Sequence, residues 1–434
     1  MIEKLSVNSL YSFVKDHFET IPDTRDDNSS IKLSDGVMSA FAMFALKEKS
    51  LLAFEESLER SAENIQQLFK IETIPSDTHM RRMIDPIEHE YIRGIFVKIF
   101  RRIQRFKQLE RFVFMDGYYL VSCDGTGYFS SNTIHCENCM QKKDRSGKVK
   151  YYHQFYGAAI VHPALKQVIP VAPEAIQKQD GSSKNDCERN AAKRFLQLFK
   201  KEHPKLKAII IEDALASNAP HIREIKKHGF QYILGVKPDD HKFLFAEVAA
   251  RKQAGELQEF TIEEDGISHI FSYCNDLPLN ESNQDLRVNF LEYWEVNHKK
   301  NKTQHFTWVT GFTISEKNTY QIMRGGRARW KIENETFNTL KNQDYHFEHN
   351  YGHGKKHLSF NLAMLMMLAF LIDQTLEFSC KTFQGALVKS KSRIRLWENI
   401  KNLFFSYNFD NMHQIYHALF YGFEKPKLKA FDTS

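Results

Sequence analysis

The sequence predicts an α/β protein, in which a mixed β-sheet core lies between helical N-terminal and C-terminal regions. Residues 1 to about 110 contain few glycines and prolines and carry apolar residues at helical spacing. From residue 112 the pattern changes to segments rich in aromatic and β-branched residues, which are typical of strands. Helical spacing returns at residue 327 and dominates to the C terminus.

Two stretches support the helical N-terminal region. SDGVMSAFAMFALKEKSLLAFEESL, residues 34 to 58, has helical spacing throughout. SDTHMRRMID, residues 76 to 85, begins with Ser and Asp, which commonly cap the first turn of a helix.

The central region predicts a definite order of elements. Three consecutive strands come first, and strands then alternate with helices, so the sheet should combine an antiparallel meander with parallel strands. This is a ribonuclease-H-like order. The predicted strands are 112–125, 153–163, 167–176, 205–213 and 230–238, and the predicted helices are 185–203 and 217–229.

The alternation stops near residue 241, where RVNFLEYWEVN and QHFTWVTGFTI predict further strands. We therefore expect a β-rich insertion within the core. The predicted divisions are a helical region at 1–110, the first part of the core at 111–240, the insertion at 241–319, the completion of the core at 320–380 and a helical region at 381–434.

Composition limits the class of protein. The chain has 434 residues, a formal net charge of +6 and 42% hydrophobic residues, which indicates a globular protein that tolerates a polyanionic partner. Six cysteines without a signal peptide predict a cytoplasmic location. The longest apolar run, residues 362–372, is too short for a membrane span and predicts a buried helix. Basic clusters recur at 101–107, 142–150, 324–331 and 389–395.

Three acidic residues stand out. Asp124 and Asp213 each end a predicted strand, and functional sites in open α/β sheets form at the carboxyl ends of strands. Each also has an ordinary structural interpretation, because Asp is common in turns and caps. Glu333 lies on a predicted helix at 327–345, on the same arc as Trp330 and other apolar residues, whereas Glu335 should meet water.

A carboxylate on an apolar face needs a cation. Arg329 lies one turn before Glu333, so a simple helix ion pair is one interpretation. The alternative is a metal site. Two strand-end aspartates and an inward glutamate would supply hard oxygen ligands for two Mg²⁺ or Mn²⁺ ions, which can activate the nucleophile and stabilise the leaving oxygen in phosphodiester chemistry. Arg329 would then hold the carboxylate or contact a phosphate.

The chain resembles bacterial insertion-sequence transposases of the DDE type, in particular those with a β-rich insertion between the second Asp and the Glu. The resembling blocks are CDGTGYFSS around Asp124, VHP, IPVAPE, GSSKNDCERNAAKRF, IIIEDALAS around Asp213, and RWKIENETFNTLKNQDYHFEHNYGHG around Glu333. The resemblance covers residues 110 to 375 and implies a ribonuclease-H-like core with Mg²⁺-dependent cleavage at transposon ends and strand transfer. It also implies that the helical N-terminal region recognises DNA ends.

Relatives carry Tyr, Arg, Glu and Lys along the glutamate helix. Arg329 and Glu333 fit this spacing, but Gly326 replaces the Tyr, and the Lys position holds Leu340 with Lys341 one residue later. Lys341 is therefore the candidate for phosphate contact. The expected partners are the element ends and target as double-stranded DNA, bound by a dimer or higher oligomer at the nucleoid, without a membrane partner. The alternatives are an inactive DNA-binding regulator derived from such an enzyme and a stand-alone metal-dependent nuclease.

Weaker signals lie elsewhere. HCENC at 135–139 has zinc-like CxxC spacing, with His153 and Cys187 downstream, so a structural Zn²⁺ is a further hypothesis beside ordinary free thiols. Trp294 and Trp308 in the insertion would pack in the core or stack on bases.

Overall fold

The structure, a computed structural model, describes residues 2–26, 29–176 and 187–422. The chain divides into two compact units: a helical unit of residues 1–108 and 340–434, and a sheet unit of residues 109–339. The predicted segment 320–380 is thus divided between the units at residue 340, because the long apolar helix near residue 370 packs against N-terminal helices.

The helices are α1 (Val7–Phe18), α2 (Leu33–Ala45), α3 (Leu51–Phe69), α4 (Asp77–Ile84), α5 (His89–Arg105), α6 (Glu188–Glu202), α7 (Ala219–Lys227), α8 (Lys242–Gln253), α9 (Glu316–Arg327), α10 (Asn338–Asn342), α11 (Leu358–Ser379), α12 (Lys381–Ser390), α13 (Arg393–Ser406) and α14 (Met412–Tyr421). A π-helical segment (Ile332–Phe337) precedes α10. The strands are β1 (Tyr119–Ser131), β2 (Met140–Lys143), β3 (Val149–Val161), β4 (Ile169–Pro170), β5 (Glu174–Ile176), β6 (Ala208–Glu212), β7 (Gln231–Gly235), β8 (Gln258–Glu264), β9 (Ile267–Pro278), β10 (Arg287–Asn297) and β11 (Lys302–Thr310).

The helices of the helical unit agree with the helical patterns in its sequence. The Ser76 hydroxyl accepts a hydrogen bond from the His79 amide at the start of α4, as the capping signal predicts. The stretch 34–58 is divided into α2 and α3, with Lys47 at φ 58° between them. Helix α11 is long and apolar enough to span a membrane, yet 94% of its most apolar window is buried within the protein, which confirms the predicted buried helix.

The sheet unit contains one large mixed sheet. Its main strand order is β2, β3, β1, β6, β7, β11, β10, β9, β8, and β4 and β5 also pair with β3. Strands β1, β6 and β7 run parallel, whereas β1 and β3 are antiparallel. The insertion adds β8 to β11 to the same sheet through pairing of β11 with β7. The predicted mixed α/β architecture with flanking helices is therefore confirmed.

Several predicted boundaries were wrong. Asp124 does not end its strand, because β1 continues to Ser131 through antiparallel pairing with β3. The predicted strand 112–125 is broken by a turn in which Asp116 and Gly117 have positive φ. The predicted strand 167–176 is two short strands, because the prolines within it cannot donate ladder hydrogen bonds. Helix α8 and strands β8 and β9 were not predicted.

A close contact positions the π-helical segment on the sheet. Gly157 of β3 is the Cα partner of Asp124. A Cβ atom at Gly157 would lie 2.9 Å from two ring atoms of Phe337, so the aromatic ring occupies space that only glycine leaves open. Phe337 also makes an edge contact with Phe155, with ring centroids 6.3 Å apart. This packing holds the segment that carries Glu333 beside β3.

We expect Gly157→Ala to lower the free energy of unfolding by about 1–3 kcal/mol, because the added methyl group overpacks the Phe337 ring. Urea unfolding followed by tryptophan fluorescence measures the change. Gly127→Ala on the neighbouring strand is the matched control, since its Cβ would lie 3.7 Å from the nearest atom. Equal stability of the two variants would contradict the packing argument.

Candidate active site

Asp124 and Asp213 lie on neighbouring parallel strands. Each β6 residue pairs with the β1 residue 89 positions earlier, from Tyr119 with Ala208 to Ser122 with Ile211. Asp124 and Asp213 have the same offset and follow these pairs by two residues. Since neighbouring strands are about 4.8 Å apart, the two aspartates lie side by side where the parallel pairing ends.

Asp213 leaves β6 and caps a short 3₁₀ helix. Its Oδ1 accepts a hydrogen bond from the Leu215 amide at 2.9 Å. The predicted capping interpretation is therefore correct for one oxygen of Asp213. The carboxylate also lines a cavity with Asp124, so capping and a role in the site are compatible.

Arg329 links Glu333 to Asp124. Its Nη1 lies 2.6 Å from Glu333 Oε1 and 4.0 Å from Asp124 Oδ2. The Ser122 hydroxyl donates to the Arg329 carbonyl oxygen at 2.8 Å, which attaches this segment to β1. The predicted helix ion pair is present, and the same guanidinium faces the first aspartate.

Glu333 lies in a π helix rather than in a continuous α helix. Helix α9 ends at Arg327, and the Asn338 amide donates to the Glu333 carbonyl, five residues back. These breaks change the rotation along the segment, so Trp330 is 48% exposed instead of buried. The Glu333 side chain is 32% exposed, so it faces a partly open site and not the apolar core. Glu335 is also half-buried.

The carboxylates of the site repel one another electrostatically. Burial, followed by the carboxylates of Glu188 and Glu333, raises the pKa of Asp124 to about 7, although Arg329 acts in the opposite direction. Closely spaced carboxylates cannot all ionise without a cation. The donor set consists of carboxylate oxygens, which are the ligands that Mg²⁺ and Mn²⁺ prefer, so these residues fit a divalent metal site.

Glu188 was missed by the sequence analysis. A Cβ at Gly125 would lie 2.5 Å from Glu188 Oε2, so the carboxylate lies over the residue that follows Asp124. Burial raises the pKa of Glu188, and the acids Glu212 and Asp213 act in the same direction, whereas a hydrogen bond from the Gly125 amide opposes them. Glu188 lies in the block GSSKNDCERNAAKRF, which resembles the family, but an acid in the first turn of a helix is usually explained by its interaction with the helix dipole.

The adjacent acids Glu212 and Asp213 have different environments. Glu212 is 6% exposed, accepts a hydrogen bond from the Tyr156 hydroxyl and lies 2.6 Å from His221 Nε2. Burial lowers the pKa of His221, but the Glu212 carboxylate outweighs burial and raises it overall. Glu212 is thus satisfied by buried partners, whereas Asp213 remains available to the cavity.

The cavity beside these acids has a volume of about 320 Å³. Its lining includes Asp124, Asp213, Glu188, Glu212, His221 and Cys187. Cys187, a candidate zinc ligand in the sequence, therefore lies at this cavity.

The other candidate functional residues from the sequence are Lys341, Trp294 and Trp308. Lys341 lies in the helical unit, where its Nζ is 3.0 Å from Glu348 Oε1. Trp308 is 5% exposed, whereas Trp294 is 37% exposed and stacks on His305 at 3.8 Å. A Cβ at Gly326 would collide with the Trp308 indole, which explains why this position lacks the tyrosine of the resembling family.

A family model described as Transposase DDE domain matches residues 135–371, more than half of the chain. The protein therefore belongs to the DDE transposase family. Asp213, Arg329 and Glu333 lie within the matched segment, and Asp124 lies just before it. No curated protein matches the chain. Proteins of this family act on DNA and generally use divalent metal ions.

Asp124→Asn should raise the melting temperature of the metal-free protein at pH 7.5 by about 2 °C or more. The folded pKa of about 7 exceeds the ordinary value of 3.8, so the folded state loses relative stability as pH rises from about 4 to about 7. The benefit of the substitution should therefore shrink as pH falls toward 4. Differential scanning fluorimetry in the presence of a chelator measures the melting temperatures of the variant and the wild type at each pH.

Mn²⁺ provides the second arm of this test. It should raise the melting temperature of the wild type at pH 7.5 and have a smaller effect on Asp124→Asn. Asp144→Asn is the control, because the pKa of this exposed acid is lowered by its hydrogen bond from Ser146, so its removal should not stabilise the protein. Identical melting profiles of Asp124→Asn and wild type would contradict the proposed repulsion.

Glu188→Gln should shift the pH-dependent part of the metal-free melting curve to lower pH, because Glu188 is the largest electrostatic contributor to the raised pKa of Asp124. The melting temperature between pH 4 and pH 8 measures the shift. Glu202→Gln, at the other end of α6, is the matched control and should leave the curve in place. An unshifted curve for Glu188→Gln would show that the two carboxylates do not interact.

Proposed function

We propose that the protein is an active DDE transposase, which cleaves DNA at the ends of a mobile element and joins those ends to target DNA. The observation that carries this proposal is the proximity of Asp213 and Glu333 to Asp124. Asp213 follows the neighbouring strand and lines the same cavity as Asp124, and Arg329 links Glu333 to Asp124. Membership of the family supports it, because DDE names this type of acidic triad in the resembling transposases.

We propose that Asp124, Asp213 and Glu333 hold two Mg²⁺ or Mn²⁺ ions. When bound, the ions would activate the attacking water or 3′-hydroxyl and stabilise the leaving oxygen. The protein prepares the site by holding partly buried carboxylates close together. Their mutual repulsion contributes to the raised pKa of Asp124 and would be relieved by bound cations. Arg329 orients the Glu333 carboxylate and carries a fixed positive charge next to Asp124.

Lys341 is proposed as a phosphate-binding residue from the family resemblance. Its ammonium group is exposed on the helical unit and pairs with Glu348, so a phosphate would have to replace that carboxylate. Surface pairs of this kind contribute little, about 0–1 kcal/mol, so the exchange costs little.

We also propose that the core of the sheet is ribonuclease-H-like. The antiparallel strands β2, β3 and β1, followed by β6 and β7 parallel to β1, support this assignment. The proposed partners are element ends and target DNA, bound by a dimer or higher oligomer, in a cytoplasmic protein associated with the nucleoid. The N-terminal helical region is the proposed end-recognition part.

One observation favours a second candidate, an inactive DNA-binding regulator. Glu333 already has a cationic partner in Arg329, so its position can be explained without a metal ion. The two candidates differ in one measurable property. A regulator binds DNA with salt-dependent affinity and does not nick it in Mg²⁺.

Asp124→Asn, Asp213→Asn and Glu333→Gln should each reduce cleavage of a labelled DNA carrying the flanking repeats of the encoding element to below about one-hundredth of wild type. End binding in a gel shift should stay nearly unchanged. Glu335→Gln, on the same π-helical segment, is the matched control and should retain cleavage.

The outcomes separate the hypotheses. Wild-type binding without nicking in Mg²⁺ or Mn²⁺ would identify a regulator. Nicking without joining of a 3′ end to target DNA would identify a stand-alone nuclease. Normal cleavage by the three acid variants would refute the assignment of the site.

A further inference from the structure

A second cluster of metal-ligating side chains lies in the sheet unit, apart from the carboxylates. Cys136 and Cys139 belong to the segment between β1 and β2, and His153 lies on β3. The two sulfur atoms are 3.7 Å apart, and His153 Nε2 lies 3.4 Å from Cys136 Sγ and 3.2 Å from Cys139 Sγ. Three soft or borderline donors therefore converge on one point.

The distance between the two sulfur atoms is close to that in a zinc coordination shell, and the two sulfur–nitrogen distances are somewhat shorter than in such a shell. A tetrahedral Zn²⁺ with Zn–S bonds of about 2.3 Å and Zn–N bonds of about 2.0–2.1 Å separates two sulfur ligands by about 3.8 Å and a sulfur from a nitrogen ligand by about 3.6 Å. The sulfur atoms are much farther apart than the about 2.05 Å of a disulfide. Neither cysteine forms a disulfide.

The local backbone also suits a metal site. The Cys139 amide donates to the Cys136 carbonyl at 3.2 Å, which closes a tight turn, and the Cys136 amide donates to Cys139 Sγ at 3.4 Å. An amide donor of this kind stabilises a thiolate. Cys139 is fully buried and His153 is 4% exposed, so a bound ion would be well shielded from competing ligands.

We propose that Cys136, Cys139 and His153 bind a structural Zn²⁺, with the fourth position taken by water or by another side chain. Thiolate and imidazole donors select Zn²⁺ over the Mg²⁺ that suits the carboxylates, so the two sites hold different metals. The ion attaches the 132–139 segment to β3. It thereby fixes the hairpin formed by β2 and β3, where Met140 pairs with Tyr152, directly before His153.

This hairpin gives a readout that does not depend on enzyme activity. It carries five exposed cations, which are Lys142, Lys143, Arg145, Lys148 and Lys150. Trypsin cleaves after such residues only when the backbone can open locally. Loss of the ion at the base of the hairpin should therefore expose these sites.

The full-length protein, purified under reducing conditions, should contain about one zinc per chain by elemental analysis. Chelation should remove it and increase the rate of trypsin cleavage within 142–150 at least about tenfold, and added Zn²⁺ should restore protection. Replacement by Co²⁺ should give the visible absorption of a tetrahedral site with thiolate charge-transfer bands.

Variants locate the metal. Cys136→Ser and Cys139→Ser should lose zinc and tryptic protection, whereas Cys187→Ser, a cysteine at the carboxylate cavity, is the matched control and should keep both. His153→Cys should still bind Co²⁺, with stronger charge-transfer absorption because a third thiolate is present. This rescue separates loss of a ligand from misfolding.

Three results would overturn the proposal. They are a protein that stays metal-free after zinc loading, full zinc content in Cys139→Ser, and a mass two hydrogens lower in the wild type, which would indicate a Cys136–Cys139 disulfide. None of these readouts involves DNA cleavage, so the zinc site stands or falls independently of the proposed transposase activity.

Discussion

The parallel pairing of β1 with β6 is the constraint on which the candidate site depends. It sets the offset that brings Asp124 beside Asp213, although 88 residues separate them in the chain. The antiparallel pairing of β1 with β3 then places Gly157 next to Asp124, and the space above that glycine admits Phe337. Glu333, four residues before Phe337, reaches the site because of this packing. A change of register by one residue would reverse the face of every side chain in β1 and separate the acids.

The electrostatics of the site work against the stability of the folded protein. Burial and neighbouring carboxylates make ionised Asp124 unfavourable, and Arg329 compensates only in part. Glu212 shows the usual solution for a buried acid, because Tyr156 and His221 satisfy both of its oxygens. Asp124 and Glu212 therefore differ in their environments. Uncompensated repulsion between carboxylates destabilises a protein and serves no structural purpose, but it favours a site where a cation is to be bound.

The sequence predicted the mixed sheet, its helical flanks and most of the α/β alternation, because hydrophobic periodicity and turn residues are local signals. It could not predict that β1 continues past Asp124, since that depends on pairing with β3. The sequence also could not predict that Trp330 is exposed, because a helical wheel assumes a continuous α helix and does not include the break after Arg327 or the π-helical segment. Glu188 was missed for a similar reason. Its proximity to Asp124 results from the packing of α6 on the sheet, which no spacing rule within one segment reveals.

Strand β3 connects the two proposed metal sites. Side chains alternate along a strand, so His153, Phe155 and Gly157 lie on one face of β3. His153 belongs to the thiolate cluster, whereas Phe155 and Gly157 contact Phe337 of the segment that carries Glu333. A zinc ion at one end of this face would hold the edge of the sheet without taking part in the chemistry. The ligand types of the two sites support different roles for them. Thiolates bind Mg²⁺ poorly, and carboxylates compete poorly with thiolates for Zn²⁺. One strand would thus support both proposed sites, the zinc site through His153 and the carboxylate site through the packing of Phe337 on Gly157.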